Sequence, residues 1–206
     1  MDYIAELMIT GIVVIIALTF HEFAHGLASY AQGDNTAKYE GRLTLNPFAH
    51  IDIAGLLMLL IVKFGWAKPV PINSYYYKNQ RRGIIITSFA GPFANILLAF
   101  VSYLIYSLLI ANGFILSEGI FTFFSFMVII NINFAVFNLL PIPPLDGSKI
   151  FAEIFGGKVA ELIYKIDNKG MLILFIILLF PPTSALLSSC TKAIMGGMEF
   201  IINIFI

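Results

Sequence analysis

An all-helical protein that crosses a membrane several times is the fold class this sequence predicts, and three observations carry that expectation. The chain of 206 residues is 59% hydrophobic and only 12% charged, about half the charged fraction usual in soluble domains. Its apolar residues gather into runs long enough to cross about 30 Å of hydrocarbon as helices. The polar segments between those runs are too short to form a separate soluble domain of about 100 residues. The sequence therefore reads as one membrane-embedded domain over 1–206, with a three-helix core over about 1–150 and C-terminal amphipathic and apolar helices over 151–206.

The elements follow in order. Leu7–Tyr30 has no charges except those of His-Glu-Phe-Ala-His, and as a helix it would be about 36 Å long. Asp2 and Glu6 precede it without a Lys or Arg, which marks a retained span rather than a cleaved signal. In the polar stretch beyond, Arg42-Leu43-Thr44-Leu45 alternates polar and apolar before Asn46-Pro47, the pattern of a small β element at the membrane surface. Ile51–Val62 is apolar but short, as expected of a re-entrant or protein-packed helix whose two ends face one side. Trp66, Tyr75, Tyr76, Tyr77, Arg81 and Arg82 then have the composition of a headgroup interface.

A second run, Ile84–Ile110, is interrupted by Gly91-Pro92 and Asn95; a turn near Asn112-Gly113 leads to a third, from about Ile120 to Leu140. Pro141, Pro143 and Pro144 prevent that helix from continuing. Backbone broken at membrane depth must be buried in protein or wet. Ser148–Lys169 is amphipathic and carries four lysines, as expected of a segment lying along the interface with lipid. Met171–Phe180, extended past Pro181-Pro182 toward Cys190, can cross again, and Ala193–Ile206 can return.

Charge narrows both orientation and function. Lys and Arg total 12, as do Asp and Glu, so no basic field is present to attract nucleic acid. The lone Cys190 cannot form an internal disulfide. Lys38, Arg42, Lys63, Lys68, Lys78, Arg81 and Arg82 fall between the first two long runs, and Lys149, Lys158, Lys165 and Lys169 follow the third. The turn between the second and third runs carries only Glu118. Basic loops face the cytoplasm, so the N terminus is expected outside, provided that Ile51–Val62 does not cross.

His21, Glu22 and His25 fit H-E-x-x-H. Residues four apart share a helix face, so two imidazoles can hold one Zn2+ while the intervening glutamate addresses a bound water. Ionisable residues inside a span are costly and generally functional. A zinc hydrolase needs a third protein ligand and an open position. Asp146, in the proline-bent segment, is the best candidate; His50, the remaining histidine, competes, although capping beside Asn46-Pro47 also explains it. Glu22 and Asp146 together would neutralise one dication in a medium hostile to isolated charge. Three histidines are too few for a histidine-rich di-iron site.

His-Glu-Phe-Ala-His in the first run, SFAGPFAN at 88–95 and NLLPIPPLDG at 138–147 resemble, in that order, the three signatures of the site-2 proteases, the intramembrane zinc metalloproteases. GRLTLNPFAHID at 41–52 is similar to the region after the histidine motif in short prokaryotic-type members. The resemblance covers most of residues 18–150. It implies one zinc held by His21, His25 and Asp146, with Glu22 as general base. Asn138 matches an asparagine that positions substrate or stabilises the oxyanion, and Asn95 matches the asparagine of the glycine-proline signature. It further implies a short member without PDZ or CBS domains, in a prokaryotic cell membrane, opening toward the cytoplasm and cutting membrane-spanning or membrane-associated proteins, with a separate regulatory protein as a possible partner.

A substrate helix hides its peptide bonds and must unwind before cleavage. The edge of an Arg42–Leu45 strand, including Leu43 and Thr44, is expected to pair with the unwound segment. Two other classes fit H-E-x-x-H less fully. A prenyl-protein-type membrane protease would need Glu153 or Glu161 as third ligand, and a membrane ion carrier would not need Glu22 as a base.

Overall fold

The structure is a computed structural model that describes residues 2–52, 54–55, 67–178 and 181–204. Helix α1 (Tyr3–Gln32) starts where the Asp2 carboxylate accepts the Ala5 N–H at 2.8 Å, and stops at Gly33, whose φ of 112° supplies a left-handed cap. Its buried residues include Val14, Ala17, His21, His25 and Ser29, a stripe recurring every three or four positions, whereas Ile4, Met8, Ile12 and Leu27 are exposed. The histidines thus lie on the face turned into the protein. One turn of helix follows as α2 (Thr36–Tyr39).

Helix α3 (Gln80–Ala111) begins at Asn79, whose side chain accepts the Arg82 N–H. It passes unbroken through Gly91-Pro92, as the single crossing expected over Ile84–Ile110 requires. Proline forfeits one helix hydrogen bond, a loss that packed membrane helices tolerate. Gly83, Thr87, Gly91, Asn95 and Ala99 are all buried and recur every four residues, a small-residue stripe along which neighbouring helices can approach closely. Helix α4 (Glu118–Asn138), capped by Ser117, supplies Val128, Ile132 and Val136, which cluster with Ala99 and Met198 in the apolar core.

After α4 the chain turns and re-enters helix as α5 (Asp146–Phe155). A Cβ on Gly147 would collide with the carbonyls of Leu139 and Leu140, so glycine lets α5 start against the end of α4. At the far end of α5, Arg81 donates from Nε to Glu153 O at 2.6 Å and from Nη2 to Ile154 O at 2.9 Å. The expected amphipathic stretch is two helices, α5 and α6 (Gly157–Ile166), divided at Gly156 and Gly157, whose φ values of 61° and 51° suit glycine.

The C-terminal segment is not divided between Cys190 and Ala193, where the sequence suggested two separate runs. Helix α7 is Gly170–Leu178 and helix α8 is Pro181–Ile202, continuous past Cys190. Residues 179 and 180, between these two stretches, lie outside the described residues. Among the described residues, four helices are long and apolar enough to cross a membrane: Tyr3–Gln32, Gln80–Ala111, Glu118–Asn138 and Ala185–Ile202.

No strand forms at Arg42–Leu45. The N–H groups of Arg42 and Leu43 both donate to Ala37 O, at 2.8 and 3.1 Å, and His50 Nε2 donates to Thr44 O at 2.8 Å. The local alternation is real, but the end of α2 captures the amides a partner strand would need. The antiparallel bridge among the described residues joins Ile51 to Ala67, with Lys68 N–H on His50 O at 2.9 Å. The short helix expected over Ile51–Val62 falls largely outside the described residues, as does Trp66.

Candidate metal centre

His21 and His25 enter the site from α1, Asp146 from the first turn of α5. Their Nε2 atoms are 2.9 Å apart, and Asp146 Oδ2 is 3.2 Å from His21 Nε2 and 3.1 Å from His25 Nε2. Each imidazole is fixed through its other nitrogen. His21 Nδ1 is 2.6 Å from Asn95 Oδ1, and His25 Nδ1 is 2.7 Å from Thr87 O. Thr87 O can only accept. Asn95 Nδ2 donates to Ala17 O at 3.1 Å and Asn131 Oδ1 at 2.8 Å, so its Oδ1 is the atom that faces His21.

Both Nδ1 atoms therefore carry a proton; when each ring holds only that proton, the Nε2 atoms present lone pairs to each other beside a carboxylate. Three acceptors within 3.2 Å of one another are a repulsive set unless a cation sits among them. A tetrahedral zinc with bonds of about 2.0–2.2 Å separates its ligand atoms by roughly 3.3 Å, close to this triangle. Outer hydrogen bonds from Nδ1 to a carbonyl oxygen are those that metal-binding histidines make. A Cβ on Gly91 would lie 2.5 Å from His25 Nε2 and 2.7 Å from His21 Cε1. The donor set and its cradle fit a zinc ion.

Glu22 lies beside this triangle, and its Oε2 accepts the Val70 N–H at 2.8 Å. Glu22, both histidines, Asp146, Asn138 and Lys149 line a cleft of about 420 Å3. Asn138 spends one amide hydrogen on Phe134 O at 3.0 Å and keeps a second. Asn95 is fully buried behind His21 and does not line the cleft. Arg42, Leu43, Thr44 and Leu45 are also outside the lining; the segment that walls the cleft there is Pro69, Val70 and Ile72. His50 is buried and bonded to Thr44, away from the donor triangle. Glu153 accepts from Tyr164 OH at 2.8 Å, and burial with this bond pushes the phenol up to about 12.

Sequence reasoning missed Thr87, Asn131, Gly91 and Val70. The four-residue spacing of Gly83, Thr87, Gly91 and Asn95 was a visible signal that this face of α3 meets α1, but contact of Val70 with Glu22 required the fold.

A helical membrane bundle that pairs H-E-x-x-H with a carboxylate from a later helix defines a membrane zinc metalloprotease. Comparisons with known proteins agree. The model of peptidase family M50 matches residues 107–181. The chain is 35% identical over 198 residues to "Putative zinc metalloprotease YwhC" of Bacillus subtilis, covering 94% of this chain and 89% of that one. It is 28% identical over 192 residues to "Putative zinc metalloprotease Rip2" of Mycolicibacterium smegmatis, covering 87% and 72%. "Putative zinc metalloprotease MJ0611" of Methanocaldococcus jannaschii is 33% identical over 138 residues, covering 64% and 62%. No solved structure matches the chain significantly. The chain belongs to peptidase family M50, the site-2 proteases.

Proposed function

We propose that the chain is an intramembrane-cleaving endopeptidase that binds one zinc and hydrolyses peptide bonds of membrane-spanning or membrane-associated proteins, as in regulated intramembrane proteolysis. The observation that carries this reading is the convergence of His21, His25 and Asp146 beside Glu22 in one cleft of the helical bundle. His21 lies eleven residues before the end of α1 at Gln32, about 16 Å along a regular helix. That depth suits a bond cut within the bilayer. Neither Glu153 nor Glu161, the third ligands a prenyl-protein-type site would need, joins the donor triangle, and Glu153 is bonded to Tyr164.

Zinc, when bound, polarises the scissile carbonyl and lowers the pKa of a water molecule. Glu22 takes the proton from that water and delivers it to the leaving nitrogen. The free amide hydrogen of Asn138 can be offered to the oxygen on which negative charge develops. The Asn95 and Thr87 bonds keep the imidazoles aimed at one point. Basic residues between α1 and α3 and over α5–α7 support a cleft opening toward the cytoplasm. The decisive experiment incubates purified protein in detergent with a panel of transmembrane peptides, with and without chelator. Cleavage by wild type, lost in Glu22→Gln with zinc still bound, is the expected result; equal cleavage by both overturns the reading.

A further inference from the structure

Residues 67–73 read Ala-Lys-Pro-Val-Pro-Ile-Asn. Proline has no amide hydrogen, so Pro69-Val70-Pro71 has a single backbone donor, the N–H of Val70. That donor is directed at Glu22 Oε2. The other end of the same peptide group is held as well. Pro69 O, on the carbonyl joined to the Val70 nitrogen, accepts from Arg42 Nη2 at 3.1 Å, and Lys68 O accepts from the same Nη2 at 2.8 Å. One peptide plane therefore lies between a guanidinium and a carboxylate, its oxygen toward the positive group and its hydrogen toward the negative one. Charge-assisted bonds are about twice as strong as neutral ones, and bonds in a chain polarise one another.

The surroundings are shaped for this contact. Gly26 follows Glu22 by one helical turn, and a Cβ there would come within 3.3 Å of both Val70 Cγ1 and Leu43 Cδ1. The bare helix surface seats Val70, which is 5% exposed, with its N–H over the carboxylate. Asn73 N–H, bonded to Asp34 Oδ2 at 2.7 Å, anchors the far end of the segment.

We infer that Arg42 is a positioning residue for the general base, acting through the Pro69–Val70 peptide to hold Glu22 Oε2 while Oε1 stays available for the proton. This rests on the reading of Glu22 as base. It gives Arg42 a role behind the cleft wall in place of direct pairing with substrate. A glutamate left to rotate about its side-chain bonds spends less time aligned with the water it must deprotonate.

The test uses full-length Arg42→Ala, Val70→Pro and the double variant in detergent, with one peptide that wild type cleaves, and measures kcat, KM and bound zinc. Each single change is expected to lower kcat about 10- to 100-fold, the scale of lost outer hydrogen bonds at metal sites, with KM and zinc content retained. The double variant should be no slower than the slower single, since both break one connection. Arg42→Lys should recover part of the loss, and Val70→Ala, which keeps the N–H, should lose less than Val70→Pro. A raised KM with unchanged kcat in Arg42→Ala, or multiplied losses in the double, overturns the inference and returns Arg42 to the substrate. Should Val70→Pro lose zinc, the kcat–KM split of Arg42→Ala and its rescue by Arg42→Lys decide alone. Active Glu22→Gln sinks the protease reading itself; inactive Glu22→Gln beside fully active Arg42→Ala and Val70→Pro sinks only this connection.

Discussion

His21 reaches its position through a line of amides that crosses three helices: Asn131 Nδ2 donates to Met127 O, Asn131 Oδ1 accepts from Asn95, and Asn95 Oδ1 accepts from His21. Asn95→Ala removes the acceptor that fixes the ring. Zinc affinity is expected to fall about 10- to 100-fold, measured by competition with a chromophoric chelator; unchanged affinity would show that helix packing alone aims the imidazole. Gly91 acts by absence. Gly91→Ala places a methyl group against both imidazoles, 2.5 Å from His25 Nε2, and purified protein should contain little or no zinc. Gly11→Ala is the contrast, because nothing lies within 4 Å of a Cβ there. Full zinc content in Gly91→Ala would mean that α1 and α3 can separate without disturbing the triangle.

At the scale of elements, the long apolar runs and the proline-bent turn were legible in the sequence because each rests on local rules. Leu7–Tyr30 lies inside α1, Ile84–Ile110 inside α3, and the break after α4 falls at the prolines. His21, His25 and Asp146 were also legible, since the i, i+4 pair states its own geometry and a carboxylate after a long apolar run needs a counter-charge. Arg42–Leu45 misled because strand formation depends on a partner, and Ala37 O takes its amides first. The division expected between Cys190 and Ala193 misled because Thr191 and Lys192 interrupt the apolar run without breaking the helix, and α8 continues through them.

Asp34 joins several of these elements. It accepts from Ser29 Oγ in α1, the Thr36 amide and hydroxyl in α2, and the Asn73 N–H. Burial pushes the Asp34 carboxyl up, but the bonds from Asn73, Thr36 and Ser29 outweigh it and hold the group below its ordinary 3.8. A depressed folded-state value means that ionised Asp34 stabilises the fold above the ordinary value, and that this contribution is lost as pH falls through the folded one. Asp34→Asn should therefore melt lower at neutral pH, by an amount on the order of 1–3 kcal/mol for misdirected buried donors, and lose less on acidification. Melting curves of both proteins in one detergent from neutral to acid pH test this; parallel curves would remove Asp34 from the acid response.

At the scale of the whole molecule, orientation follows from charge and from where the excursion after α1 begins and ends. Crossing by α1, α3, α4 and α8 would put residues 33–52, residues 67–79 and α5–α7 on one side, and these carry basic clusters; residues 112–117 on the other side have no Lys or Arg. This assignment needs residues 51 and 67 to share a side. They do, since Ile51 bridges Ala67, Lys68 N–H reaches His50 O, and Lys78 N–H reaches Gln32 O at 3.4 Å. The bridge supports the condition on which the sequence-based orientation depends, although most of Ile51–Val62 lies outside the described residues. Three exposed positions report the outcome in a Cys190→Ser background: Tyr39 (83% exposed), Tyr75 (87%) and Ile115 (100%). With a membrane-impermeant maleimide on intact cells, Ile115→Cys should label, whereas Tyr39→Cys and Tyr75→Cys should label only after lysis. The reverse pattern would turn the molecule over and open its cleft to the outside. Opposite labelling of Tyr39→Cys and Tyr75→Cys would mean that the chain crosses between them, and Val70 could not then reach Glu22 from the side on which α1 ends.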